Sequence, residues 1–347
     1  MNSIRFISNS LAKKHSNGKF HPESPQRIEI MEKWVTSHLD DSISFEISHE
    51  MANKEEILSV HTEDHYNLIE KTKNYEGHFY FDADTAANSY SYEAAMQAVQ
   101  IGIQAVFEST RDNSVFCLVR PPGHHATQHS PQGFCIFNNI AVGSQIALNK
   151  KKYHRIAILD IDHHFGNGTA YITESNPDIL YMSTHADPRI SYPGCGFSDE
   201  IGFGEGRGFN VPLPLGYRAS EADLKLCFES IINPIIYQFK PDFLAISVGF
   251  DAYERDPIGV LGVTVNGFGY IGKIIKEITD NLKIPYAHFL EGGYNINLLP
   301  ELLSAYVSPF IGKSEVNLKI DPSLQVKEET KSIVQSSKNV LKDYWSL

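Results

Sequence analysis

The chain lacks the features that would place it in several broad classes. It has four cysteines in 347 residues, Cys117, Cys135, Cys195 and Cys227, and none forms a CxxC pair. A disulfide framework or a cysteine-built zinc site is therefore not expected, and a reducing compartment is. Basic charge is scarce: 30 Lys and Arg stand against 42 Asp and Glu, a formal net charge of −12. That argues against direct nucleic-acid binding, which needs a basic footprint. It suits cationic small molecules or lysine-rich peptides, although acidity also serves solubility alone. No apolar run reaches the ~18 residues of a membrane span. The N-terminus, MNSIRFISNSLAKKH, has no apolar core of the length a secretory signal needs. A cytoplasmic location is expected, with export by a specialised system as the alternative. There is no internal repeat and no low-complexity linker.

Apolar strands and histidines are what the chain does have. Five short β-rich runs stand out: VFCLV (115–119), IAIL (156–159), ILYMS (179–183), FLAISV (243–248) and AHFL (287–290). Helical patterns lie between many of them, over 91–109, 135–150, 219–239 and 267–282. Near-continuous apolar strands alternating with helices predict a parallel sheet covered on both faces, an α/β fold in one domain. The domain is expected to span residues 1–320. Residues 321–347 are expected to form a C-terminal helical tail packed on it.

Each apolar run is followed by a polar stretch: RPPGHHA, DIDHHFGNG, STHADP, GFDAYERDP and EGGYN. Turn chemistry alone enriches loops in Asp, Asn and Gly. Five loops this rich in His, Asp and Tyr at the same ends of the strands argue for more. Ligands bind beyond the carboxyl ends of strands in open α/β sheets. Alternation along a strand puts Asp160, Asp162 and His164 on one face and turns His163 the other way. His163 is read as a surface or helix-packing residue, and His129, in a polar loop, as solvated. An Asp and a His two residues apart suit a divalent cation such as Zn²⁺, with Fe²⁺ or Co²⁺ as alternatives. Asp251, just past FLAISVGF, is the candidate third ligand. His124 and His125 are candidate general base and acid, needing partners that fix their tautomers. Asp160 is placed to orient one and Asn167 the other. Tyr294, after two glycines, is a candidate donor to a developing oxyanion.

In order along the chain, HPESPQR (21–27), RPPGHHA, GFCIFNN, DIDHHFGNGT, SVGFDAYERDP and LEGGYN resemble the zinc-dependent histone deacetylase family. The likeness is to its class II side, with the bacterial histone-deacetylase-like and acetylpolyamine amidohydrolases, and covers roughly residues 15–310. It implies the arginase–deacetylase fold, an eight-stranded parallel sheet between helices, and one catalytic zinc held by Asp162, His164 and Asp251. It implies His125 as general base and acid, His124 paired with Asp160 as electrostatic partner, and Tyr294 as the group that polarises the amide carbonyl. Gly133, Phe134 and Tyr192 would line an acyl-lysine tunnel, and Arg27 an inner channel passing acetate. A structural potassium ion would sit near Asp160, Asp162, His164, Ser183 and Thr184. One position departs from the family's Asp-x-Asp-x-His-His-Gly pattern: Phe165 stands for the second His, and His163 fills the variable place. Asn167, where other members carry Asp, is the class II form.

The implied reaction is hydrolysis of N-ε-acetyl-lysine in peptides or proteins, releasing acetate. Acetylpolyamine is the alternative substrate. The stretch between Tyr66 and Asp84 is too short for the insertion that narrows the mouth of the bacterial polyamine enzymes. Ile258 stands where the eukaryotic polyamine deacetylase has a glutamate. A non-catalytic acyl-lysine binding module and a two-manganese, arginase-like ureohydrolase are the competing readings from other classes. A monomer is the expected state.

Overall fold

The five apolar runs all become strands, and three less apolar segments join them. The computed structural model describes residues 2–313 and 320–347. Apart from the short antiparallel pair Phe79–Tyr80 and Ala86–Ala87, its strands are β1 (Ser3–Asn9), β2 (Ile43–Ser48), β3 (Asn113–Leu118), β4 (Ile156–Asp160), β5 (Ile179–Ala186), β6 (Asn210–Leu215), β7 (Phe243–Val248) and β8 (Tyr286–Leu290). They form one all-parallel sheet in the order β2-β1-β3-β8-β7-β4-β5-β6.

Alternate side chains of the inner strands feed two separate cores. Val115, Cys117, Ile156, Ile158 and Phe243 pack with Ile101, Ala105 and Ile140, from the helices Ser91–Glu108 and Asn139–Asn149. Phe116, Leu118, Leu159 and Ile246 face the opposite way. They meet residues of the helices Pro25–Ser37, Val265–Leu282 and Leu299–Val307, of the segment 221–239, and of Glu328–Leu341. Both faces are covered, which is why the central strands are apolar at nearly every position.

Three helix expectations shift. The helix expected over 135–150 starts at Asn139, because the Asn138 side chain caps it by accepting from the Ala141 N–H. The stretch 219–239 divides into Glu221–Cys227, a widened π turn (Phe228–Ile232) and Asn233–Phe239. The one expected over 267–282 begins two residues earlier, at Val265, under the Thr264 cap. Near the C-terminus, Glu328–Leu341 packs on the edge strand β6 and on Glu221–Cys227. The stretch 314–319, just before the expected boundary at 320, lies outside the described residues.

Candidate active site

The order β3-β8-β7-β4 sets the segments that follow these strands side by side at the carboxyl edge of the sheet. β4 ends at Asp160, and carboxylates that catch backbone N–H groups shape the turn after it. Asp160 Oδ1 accepts from the Asp162 N–H (3.1 Å), and Asp162 Oδ1 from the His164 N–H (2.8 Å). Asp162 and His164 thus lie past the strand, and the expectation of three residues on one strand face is corrected. The carboxylate of Asp160 points to different partners, accepting from Tyr181 Oη (2.9 Å) and from His124 Nδ1 (3.1 Å).

Asp251, from the segment after β7, joins Asp162 and His164. His164 Nδ1 lies 3.1 Å from Asp251 Oδ2 and 3.4 Å from Asp162 Oδ1. One donor atom from each of the three falls within 4.8 Å of the others. Backbone fixes both carboxylates: the Gly292 N–H donates to Asp162 Oδ2 (2.8 Å) and the His163 N–H to Asp251 Oδ1 (3.0 Å). A Cβ on Gly249 would collide with the Asp162 carboxylate, and one on Gly292 with that of Asp251. Glycine at both positions is what lets the loops close on the acids. Burial opposes charge on His164, but Asp162 and Asp251 outweigh it and push its pKa up to about 9. Burial, then Asp162, raises the carboxyl of Asp251. Two buried acids that draw a proton onto their imidazole neighbour form a site short of positive charge. An N,O donor set of this kind fits a divalent cation.

His124 and His125 stand with ring centroids 4.0 Å apart and differ in every electrostatic respect. His124 pairs with the Asp160 carboxylate, whereas His125 Nδ1 donates to the neutral Asn167 Oδ1 (2.8 Å). Burial opposes charge on His124, yet Asp162, Asp160 and Glu291 carry its pKa up to about 10. Burial, then the positive charges of His124 and His164, hold His125 well below the ordinary imidazole value. His125 is therefore neutral at pH 7, with its lone pair on Nε2.

A cavity of about 420 Å³ opens over these groups, lined by His124, His125, Gly133, Phe134, His164, Tyr192, Ile258 and Tyr294 among others. Phe134 meets Tyr294 edge-on at 5.9 Å, and Tyr192 meets His125 edge-on at 4.9 Å. Gly133 and Phe134 both have positive φ, +56° and +69°. A Cβ at Gly133 would run into the His125 ring. Tyr294 is held by its N–H, which donates to Asp256 Oδ2 (2.7 Å), and its phenol is pushed well above 10 by burial. Arg27 does not line this cavity. It is wholly buried behind it, with its guanidinium 4.9 Å from the Tyr294 ring centre and bonded to Glu23 and to the carbonyls of Gly293 and Glu291. His163 is not a surface residue either: it is fully buried, which overturns the surface alternative of its reading. His129 is exposed, in keeping with its reading as solvated. Ser183 and Thr184 lie within β5, with Ser183 in register with Asp160.

Sequence reasoning passed over Glu291, Asp256 and the Glu23–Arg120 pair. Glu291 accepts from the N–H groups of Gly123 (2.8 Å) and His124 (3.1 Å) and from Ser247 Oγ (3.2 Å), so it holds the histidine loop. It forms a second potential donor group with His124 and Cys135, but its oxygens are already occupied, and Cys135 Sγ accepts from the His125 N–H. Glu23 binds Arg120 with both oxygens and Arg27 with one. Glu291 and Asp256 lie inside the motifs EGGYN and ERDP, and that was their only signal.

The sheet defines an α/β protein of the arginase–deacetylase fold, with the candidate site at its carboxyl edge. The histone deacetylase domain profile matches residues 21–309, and the chain belongs to that family. It is 32% identical over 337 residues to "Histone deacetylase 10, chloroplastic" of Oryza sativa subsp. japonica, covering 91% of this chain and 76% of that one. It is 34% identical to "Histone deacetylase 15" of Arabidopsis thaliana, over 86% of this chain but only 54% of the relative, so it spans about half that protein's length. A "Probable deacetylase" of Archaeoglobus fulgidus is 32% identical, over 82% of this chain and 79% of the relative. The crystal structure of the HDA15 HD domain superposes with a TM-score of 0.89 at 28% identity, covering 99% of this chain and 95% of that one. These relatives support a deacetylase activity of the hydrolase kind. No described helix is long and apolar enough to cross a membrane.

Proposed function

We propose that the protein hydrolyses the acetyl amide of N-ε-acetyl-lysine in peptides or proteins, with one zinc ion held by Asp162, His164 and Asp251. The observation that carries this reading is the convergence of a neutral His125, a protonated Tyr294 and the Asp–His–Asp group on one apolar-walled cavity. A divalent ion in that group supplies Lewis acidity, easing ionisation of a water and polarising the acyl carbonyl.

The chain's own residues do the rest. His125 Nε2 takes the proton of the attacking water, and its Nδ1–H on Asn167 keeps the ring turned for that task. The Tyr294 hydroxyl donates to the carbonyl oxygen as charge builds on it. His124, cationic on Asp160, adds positive charge beside that oxygen and keeps His125 neutral until it has taken the proton. His125 then hands the proton to the departing lysine amine, leaving acetate. Gly133, Phe134 and Tyr192 wall the acyl-lysine chain, Ile258 borders the mouth, and Arg27, behind Tyr294, would face the acetate path. A potassium ion near Asp160, Asp162, His164, Ser183 and Thr184 would brace the end of β4. We take residues 1–320 as the catalytic domain, 321–347 as its packed helical tail, and a monomer as the working unit. All four cysteines are free, which suits a reducing, cytoplasm-like compartment.

Acetylpolyamine stays as a second reading because Asp84 lines the mouth, where an anion favours a cationic chain. The test is turnover of an acetyl-lysine fluorogenic peptide and of N-acetylated putrescine and spermidine, before chelation, after chelation and after zinc return. Peptide turnover lost to chelator and restored by zinc is expected. No turnover of any substrate after zinc return overturns the enzyme reading and leaves a binding module. Turnover of the polyamines alone overturns the acyl-lysine assignment.

A further inference from the structure

His163 sits between two candidate metal ligands, lines no part of the cavity, and is tied through its backbone and one ring nitrogen. Its N–H donates to Asp251 Oδ1 (3.0 Å) and its carbonyl accepts from the Ala186 N–H (2.8 Å). Its ring stands edge-on to that of His164, centroids 4.6 Å apart at 83°. The distal nitrogen is the informative atom. His163 Nε2 lies 3.3 Å from Ser191 Oγ and accepts from the Val260 N–H at 3.3 Å. Ser191 and Val260 both line the cavity, on segments that follow different strands, β5 and β7. Tyr192 adjoins the first contact, and Ile258 lies two residues before the second. No direct hydrogen bond joins 190–192 to 258–260 among the described residues. Because Nε2 accepts, the ring's proton sits on Nδ1, which has no partner among the described residues. Only the Nε2 side therefore fixes the ring by hydrogen bonding.

We propose that His163 is a positioning residue that clasps the Tyr192 wall to the Ile258 wall and thereby sets which acyl group the cavity accepts. An apolar residue of similar bulk would fill the space but leave the Val260 N–H unpartnered and Ser191 unattached. The two walls would then move independently, and discrimination between acyl groups would weaken. The second half of the proposal rests on the reading of the cavity as an acyl-lysine tunnel; the first half does not.

The test uses the full chain carrying zinc and three variants. His163→Leu removes the acceptor and keeps bulk. His163→Gln places an amide oxygen near the position of Nε2. Ser191→Ala removes one contact and leaves the buried position untouched, which keeps the test open if the leucine variant does not fold. Amide hydrogen exchange over 258–263 needs no substrate. It is expected to quicken about tenfold in His163→Leu, a few-fold in Ser191→Ala, and little in His163→Gln. With acetyl-lysine and butyryl-lysine peptides, His163→Leu is expected to raise KM for the acetyl substrate about fivefold, to change kcat less than about twofold, and to narrow the acetyl–butyryl gap. His163→Gln should restore the wild-type pattern at equal zinc content. Unchanged exchange in both His163→Leu and Ser191→Ala overturns the clasp, as does identical behaviour of the leucine and glutamine variants. A fall in kcat with KM unchanged overturns the specificity role. If the wild type hydrolyses neither peptide, the function proposed above fails, and the exchange measurement still decides whether His163 joins the walls.

Discussion

Adjacent histidines in one loop become opposites through their second neighbours. An aspartate behind His124 makes it a cation, and an asparagine behind His125 leaves it neutral. The phenol that faces them shows the same dependence on surroundings. Burial pushes the Tyr294 phenol well above the ordinary tyrosine value, so it remains a donor at neutral pH. Tyr294→Phe removes that donor and nothing else. It is expected to lower kcat by about 10²- to 10³-fold, with zinc content by elemental analysis unchanged. Asp251→Asn is the contrast: it weakens the donor set, so zinc and turnover should be lost together. The sequence placed the Asp–His–Asp group, the histidine pair and the tyrosine within reach because each directly follows an apolar run. Glu291, Asp256 and Glu23 escaped notice for a physical reason. They act on backbone N–H groups and guanidinium groups far away in sequence, and no spacing rule encodes such a contact. His163 escaped because alternation was extended beyond the end of the strand.

At the level of elements, strands with two buried faces announce themselves and the others do not. β3, β4, β5, β7 and β8 are apolar almost throughout. β6, NVPLPL, carries two prolines and was not read as a strand. It lies at the sheet's edge, paired with β5 alone, where a residue without an N–H is tolerated. β2 is the opposite edge and half-exposed. β1 is an inner strand disguised by polar residues, of which the two fully buried ones find partners: Ser8 on Glu32, and Asn9 on the carbonyls of Ala94 and Arg120. The helix Glu328–Leu341 has an anchor that no sequence pattern marks. Asp223 caps its own helix through Oδ2 on the Ser220 N–H and spends Oδ1 on the Lys327 N–H and the Thr330 hydroxyl. Thr330→Val deletes one buried, charge-assisted hydrogen bond. It is expected to cost about 1–3 kcal/mol in urea unfolding and to leave turnover unchanged.

The molecule as a whole buries many uncharged imidazoles. Burial lowers His65 and His185 to about 4 and His288 to about 3, and holds His61 well below 6.5. An unfolded chain takes up these protons near pH 6.5, while the folded one refuses them. The sign follows: stability from these four groups is complete above pH 6.5 and drains away as pH falls toward 4. Each contributes a slope of up to about 1.4 kcal/mol per pH unit. Urea midpoints should drop steeply between pH 6 and 4.5; a flat profile through that range would contradict the burial described here.

β1 has β2 on one side and β3 on the other, although the histone deacetylase profile begins only at residue 21. A polypeptide trimmed to that boundary would retain every candidate ligand and still forfeit an inner plank of the open sheet behind them. β2 would be orphaned, and the flank of β3 would offer bare amides to any passing strand, an invitation to clumping rather than a smaller enzyme.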